Sequence, residues 1–374
     1  MVIRGGMVFQ PDGSFAEKEV YVEGEKITDV KNDIDVINAE GCYVIPGLVD
    51  VHFHGCVGHD FCDGSEQAIA DMAKYELANG ITSINPATMT LGEDTLLQVA
   101  EAAAAYKKAD HSEGAELVGI NMEGPFISKE KKGAQNEEYI HRPDAEMFRR
   151  LQKASGGLFR LCALAPEVDG AMEFIDACKD EVAISVAHTT ADYDTAKKAF
   201  DKGAKQVTHL YNAMPPFTHR APGVIGAACD SDCKVELICD GIHIHPSVIR
   251  TTFKMFGDDR IILISDSMAA TGMTDGEYSL GGQKVIVKGN LATLEDGTIA
   301  GSATNLMNCL RFAVKTAGIP LASAVKCATK NPAQAIGVFD SYGSIEADKY
   351  ANMVILNENL DIVKVIRRGK VVEG

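Results

Sequence analysis

The chain has 374 residues, enough for one large domain and a small one, with 46% hydrophobic and 24% charged residues and a mean hydropathy near zero. Its formal net charge of −17 argues against nucleic acid and anionic membrane as partners, and no apolar run approaches the ~20 residues of a membrane-spanning helix. Met1-Val2-Ile3-Arg4-Gly5-Gly6 has no secretory-signal pattern and the ten cysteines lack paired spacing, so a reducing, cytoplasmic setting is expected.

Residues 1–45 predict short strands at 2–4, 8–10, 19–22 and 26–30, joined by turns such as Asp12-Gly13 and Glu23-Gly24. Residues 344–374 read the same way, with strands at 352–356 and 363–367 and a hairpin turn at Arg368-Gly369-Lys370. Neither end can close a core alone. Paired, they predict one small β-sandwich from both termini, residues 1–47 with 340–374. Between them, 48–339 alternates strand and helix, with strands expected at 48–54, 81–87, 116–123, 158–164, 182–188, 206–210, 235–240 and 261–266. One intervening helix runs from Ser65 as N-cap to Asn79-Gly80, another over 95–108. Eight strands with helices between them, over about 250 residues or more, predict an α/β fold of the (β/α)8 TIM-type barrel kind. The rival, a doubly wound open sheet, lacks a Gly-x-Gly-x-x-Gly turn after any strand. A Gly-rich, β-forming stretch at 276–300 breaks the alternation and predicts a hairpin insertion after the eighth strand. Helices follow at 302–318, 320–330 and 331–337.

The first barrel strand opens at Pro46-Gly47 and ends in His52-Phe53-His54-Gly55. Alternation puts His52 and His54 on one face with Asp50, about 7 Å apart, and Val49, Val51 and Phe53 on the other. Such a pair suits metal chelation; the plainer reading is a polar strand end satisfied by carbonyls or water. Chemistry in a barrel gathers at the C-terminal strand ends. There the pattern also places Glu123 (just before Gly124-Pro125), His188, His209 and Asp266. Singly, either histidine could bond a carbonyl in the core, and either carboxylate could cap the next helix. Together, four histidines and two carboxylates on one rim are the inventory of a hydrolytic site for one or two divalent ions.

Such an ion lowers the pKa of bound water from about 15.7 to about 7. Asp266 is then placed to take the water's proton and return it to a leaving amine. Glu123 has two oxygens and can bridge two ions or ligate one. The donor set suits Zn first, with Fe, Mn or Co as alternatives. After His209, the loop from Tyr211-Asn212-Ala213 to Arg220 offers an amide, exposed backbone N–H groups and a guanidinium, which suit a phosphate or polar sugar. The commoner fate of a single Arg is a surface ion pair. His243 follows strand seven closely enough to face the rim. His59, His111, His141 and His245 read as peripheral, and Cys56 as a packing thiol rather than a soft ligand.

These segments together resemble the amidohydrolase superfamily of metal-dependent barrel hydrolases. Pro46-Gly47-Leu48-Val49-Asp50-Val51-His52-Phe53-His54-Gly55 is similar to its first-strand motif. Met122-Glu123-Gly124-Pro125-Phe126, Ala187-His188-Thr189, Thr208-His209-Leu210-Tyr211-Asn212-Ala213-Met214, Asp240-Gly241-Ile242-His243 and Ser265-Asp266 narrow the likeness to the branch acting on phosphorylated amino sugars, over essentially the whole chain. The resemblance implies hydrolysis of the acetyl group of N-acetylglucosamine 6-phosphate to glucosamine 6-phosphate and acetate, in amino-sugar catabolism and cell-wall sugar recycling. It implies Glu123, His188 and His209 as metal ligands, Asp266 as catalytic acid/base and His243 as a sugar contact. It also implies phosphate contacts from Asn212, the Ala213 backbone and Arg220, the last reaching across a homodimer interface. The His52 and His54 pair, absent from single-metal members, favours a second ion. Gln135 stands where some relatives have a histidine, and can meet an acetyl carbonyl only as an amide donor.

Two other functions compete. Relatives acting on cyclic amides or nucleobases often bridge their metals with a carbamylated lysine, but 158–164 contains no lysine and Glu123 fills that role. A barrel reduced to a scaffold would be expected to lose ligands, and all six are present.

Overall fold

Short apolar runs rich in Val, Ile and Leu, hydrophobic on both faces, form the parallel strands of a barrel. The computed structural model describes residues 1–31, 35–109 and 111–372. The barrel strands are β1 (Leu48–Asp50), β2 (Ile81–Ile84), β3 (Ile120–Met122), β4 (Phe159–Leu164), β5 (Ala183–Val186), β6 (Gln206–Val207), β7 (Lys234–Ile238) and β8 (Ile261–Ile264). Parallel pairing runs in chain order from β3 to β8, and β1 pairs with β2.

The third strand differs from expectation by being split: Glu116–Leu117 pairs with β2, and β3 with β4. Gly119 lies in the break, where a Cβ would come within 2.3 Å of Asn85 Oδ1. A single bridge between Ala87 and Asn121 spans this seam. The other seam closes where the Asp266 amide donates to the His52 carbonyl at 2.9 Å and the His54 amide to the Ser267 carbonyl at 2.7 Å. β1 and β8 therefore leave the regular ladder earlier than expected, at Asp50 and Ile264. Their continuations still bond each other, and the candidate ligands sit in that stretch.

The helices follow from local chemistry. Ser65 caps Glu66–Ala78 by accepting the Ala68 amide. Glu93–Lys108 starts two residues before its expected 95, with Glu93 and Asp94 at its positive end and Lys107 and Lys108 at its negative end. The apolar faces of the helices pack on the strands in one large core that includes Phe148, Phe159 and Phe174.

Both termini build the second layer pair. A six-stranded sheet runs Phe15–Glu17, Met7–Phe9, Tyr43–Pro46, Met353–Leu356, Ile362–Arg367, Lys370–Val371 in space. A four-stranded sheet runs Lys26–Thr28, Val20–Glu23, Val2–Arg4, Val36–Asn38. Between them Ile3, Val20, Val22, Val44, Met353, Ile355 and Ile366 form a separate core. The expected hairpin insertion is a three-stranded meander, Gly276–Leu280, Gln283–Lys288 and Leu291–Thr293. The last two residues of the expected C-terminal segment, 373 and 374, lie outside the described residues. Among the described residues, no helix is long and apolar enough to cross a membrane.

Gly55, directly after His54, passes so close to the His59 carbonyl that a Cβ would lie 2.1 Å from that oxygen. Gly55→Ala forces backbone apart and is expected to destabilise by at least about 1–3 kcal/mol. Chemical denaturation checks this; an unchanged midpoint would contradict the packing described.

Candidate metal centre

At the C-terminal rim, β1, β3, β5, β6 and β8 end just short of the six expected ligands, and all six side chains converge. Glu123 Oε1 lies 3.3 Å from His188 Nε2, 3.1 Å from His209 Nε2 and 3.4 Å from His52 Nε2; Oε2 lies 3.2 Å from His54 Nε2. Asp266 Oδ1 is 3.4 Å from His54 Nε2 and 3.6 Å from His52 Nε2. The residues divide into two buried groups, His52/His54/Asp266 and Glu123/His188/His209, each with ligand atoms within 4.8 Å of one another. All but the fully buried His52 line a cavity of about 360 Å³.

Charge and hydrogen bonding say what fits there. Glu123 and Asp266 are buried, yet among the described residues the only buried Lys or Arg is Lys349, which is held elsewhere by Ser344 and Glu346. His52 Nε2 faces both carboxylates, buried and without a hydrogen-bond partner; His54 and His209 turn Nε2 to the same centre and leave Nδ1 buried and unpartnered behind it. Uncompensated buried carboxylates and unpartnered imidazole nitrogens are unfavourable in a dry interior. A divalent cation held by these carboxylate oxygens and the Nε2 atoms around them would balance the carboxylate charge and take up the lone pair of His52 Nε2. His188 Nδ1 faces the Lys131 carbonyl at 2.8 Å; a carbonyl only accepts, so Nδ1 carries the hydrogen and Nε2 presents its lone pair to the centre. Burial alone would push the Glu123 carboxyl up, but the His52, His188 and His209 imidazoles hold it well below its ordinary range. Burial pushes Asp50, beneath the site, up to about 7, against hydrogen bonds from Ser265 and the His52 amide.

The backbone is strained at the ligands themselves. His188, His209 and Asp266 have φ of 44°, 28° and 49°, and Tyr211 and Ala213 have 81° and 51°. Left-handed conformations at non-glycine residues cost of order 1–3 kcal/mol each and gather at functional sites. Here they turn the chain sharply at the strand ends, aiming the side chains inward.

The other candidates divide. Asn212, Ala213, His243 and Gln135 line the cavity, whereas Arg220 is exposed and does not. His243 Nδ1 faces Asp240 Oδ2 at 2.7 Å. Asn212 donates to the His209 and Leu210 carbonyls. Gln135 is buried, with Nε2 donating to Glu123 Oε2 at 2.8 Å and Oε1 accepting the Thr90 amide at 2.7 Å. One of its two Nε2 hydrogens is therefore engaged by Glu123. Cys56 is buried, its thiol donating to the Met72 carbonyl at 3.8 Å, and belongs to neither group.

Two carboxylates escaped the sequence reading. Glu236 on β7 contacts His52, His209 and Gln206. Glu167 accepts from the Thr189 hydroxyl and the Thr190 amide, bracing the turn after His188. The available signal for Glu236 was a charge inside the apolar run Val235-Glu236-Leu237-Ile238.

Comparison with known proteins agrees with this geometry. The model of the amidohydrolase family matches residues 43–372. The chain is 40% identical over 332 residues to an N-acetylglucosamine-6-phosphate deacetylase of Bacillus subtilis, covering 88% of this chain and 84% of the relative. It is 31% identical over 339 residues to an N-acetylgalactosamine-6-phosphate deacetylase of Escherichia coli O157:H7, covering 90% and 89%. Among solved structures, a mutant N-acetyl-D-glucosamine-6-phosphate deacetylase from Mycobacterium smegmatis in complex with N-acetyl-D-glucosamine-6-phosphate has a TM-score of 0.93 at 31% identity, covering 100% of this chain and 99% of that one.

Proposed function

Because the chain belongs to the amidohydrolase family of metal-dependent hydrolases, we propose that it removes the acetyl group of N-acetylglucosamine 6-phosphate, giving glucosamine 6-phosphate and acetate in amino-sugar catabolism. The observation that carries this reading is the pair of buried His/carboxylate groups whose ligand atoms converge on the rim of a barrel matching deacetylases over its length.

When bound, a divalent ion lowers the pKa of its water to about 7 and polarises an amide carbonyl. Glu123, His188 and His209 would hold one ion, and His52, His54 and Asp266 a second; zinc suits the donors best. Asp266 Oδ takes the proton of the attacking water and returns it to the leaving nitrogen, acting as base and then acid. The Ser302 amide, donating to the Asp266 carbonyl at 2.7 Å, holds that residue at the cavity wall. His243, oriented by Asp240, contacts the sugar. Asn212 and the Ala213 amide bind the phosphate, and Gln135 borders the acetyl group while steadying Glu123. The exposure of Arg220 away from the cavity of its own chain supports its reaching the phosphate of a neighbouring subunit in a homodimer. The described cysteines are all free, which supports a cytoplasmic setting. We place the domain boundaries near residues 47 and 340, supported by the six-stranded sheet that unites both termini.

A second reading has its own support: the relative acting on N-acetylgalactosamine 6-phosphate differs in substrate only at the C4 hydroxyl. Acetate release should be measured from both phosphorylated sugars and from unphosphorylated N-acetylglucosamine, with metal content determined on the same protein. The expected result is turnover of N-acetylglucosamine 6-phosphate at a kcat/KM at least about tenfold above the galacto epimer, a difference of about 1.4 kcal/mol. Preference for the epimer would move the assignment to the second reading. Equal turnover of the unphosphorylated sugar would remove the phosphate site, and no turnover with metal bound would sink the substrate class.

A further inference from the structure

We propose that Glu236 is a positioning residue that sets both metal groups with one carboxylate; this rests on the reading that His52 and His209 hold ions. Glu236 is fully buried on β7, surrounded in sequence by apolar residues. Its Oε2 lies 2.9 Å from His52 Nδ1 and accepts the His209 amide at 3.1 Å, while Oε1 accepts Gln206 Nε2 at 2.6 Å. Since Oε2 already serves as an acceptor, the ring nitrogen facing it carries the hydrogen. That leaves the His52 lone pair on Nε2. Nε2 is the atom 3.4 Å from Glu123 and 3.6 Å from Asp266, buried and without a hydrogen bond of its own. The same oxygen clamps the backbone of His209, which sits in a left-handed conformation at φ 28°. One carboxylate therefore selects the tautomer of a ligand in the first group and holds the backbone of a ligand in the second.

Two variants separate positioning from mere filling of the core. Glu236→Leu leaves the His52 Nδ1 and His209 amide hydrogens without an acceptor. Glu236→Gln keeps an acceptor oxygen for both, and Gln206 can turn its own amide oxygen to meet the new NH2 group, so only the charge is removed. Zinc affinity is measured by chelator competition, and the His52 tautomer by long-range 1H–15N spectra of the metal-free, 15N-histidine-labelled protein. Glu236→Leu should weaken zinc about 10–100-fold and lose the Nδ1-protonated pattern, and Glu236→Gln should keep that pattern with a smaller loss of affinity. Wild-type affinity in Glu236→Leu would overturn the proposal while leaving the metal reading intact. Failure of the unaltered protein to take up zinc would overturn both. His52 protonated at Nε2 in the unaltered metal-free protein would overturn the proposal without any variant.

Discussion

Asp266→Asn is expected to lower kcat for N-acetylglucosamine 6-phosphate by about three to four orders of magnitude, with metal content and KM little changed. General acid–base catalysis by a positioned carboxylate contributes about 10²–10⁴-fold, and Asp266 is asked to supply it twice, at the water and at the leaving nitrogen. Asparagine matches the shape of aspartate and keeps an oxygen for an ion, but it cannot shuttle the proton. Backbone hydrogen bonds hold the residue in place, from its amide to the His52 carbonyl at 2.9 Å and from the Ser302 amide to its own carbonyl at 2.7 Å. These survive the substitution, so the fold and the seam between β1 and β8 should too. Steady-state kinetics with elemental analysis of the same preparation checks the result. A loss below about tenfold with metal retained would move the proton transfer to another group.

Glu123→Ala should act by a different route. Its two oxygens are within 3.4 Å of the Nε2 atoms of His52, His54, His188 and His209, and Gln135 steadies one of them. Removing it takes away an anionic donor and leaves imidazoles of both groups facing one another, with His188 and His209 Nε2 only 3.2 Å apart. Both ions should be lost or greatly weakened. An ion that stabilises developing charge supplies several kcal/mol, and each 1.36 kcal/mol is a factor of ten in rate. The expected fall in kcat/KM is therefore at least about a thousandfold, with metal content falling in parallel. This contrasts with Asp266→Asn, where activity falls and metal stays. A full complement of metal in Glu123→Ala would show that neither group needs Glu123 to hold its ion.

The sequence by itself determined the parts encoded within a few neighbouring residues. Short continuous apolar runs, the Ser65 cap and the turn glycines carried the barrel strands and their intervening helices, because strand pattern and capping act over a few neighbouring residues. The six candidate ligands were legible for the same reason: each stands at the end of an apolar run, and the barrel brings all such ends to one rim. Phe15–Glu17, Val36–Asn38 and Tyr43–Pro46 were missed; each is only three or four residues long and is a strand through its pairing, Phe15–Glu17 with Met7–Phe9, Val36–Asn38 with Val2–Arg4 and Tyr43–Pro46 with Met353–Leu356. Tertiary structure alone decided the rest. The partnership of Glu236 with His52 joins residues 184 positions apart. The engagement of Gln135 by Glu123, and the absence of Arg220 from its own chain's cavity, likewise depend on how the rim loops fold over the centre. Local sequence states which side chains a strand end carries. Which of them meet, and through which atoms, is settled only when the seam between His52 and Asp266 closes the barrel.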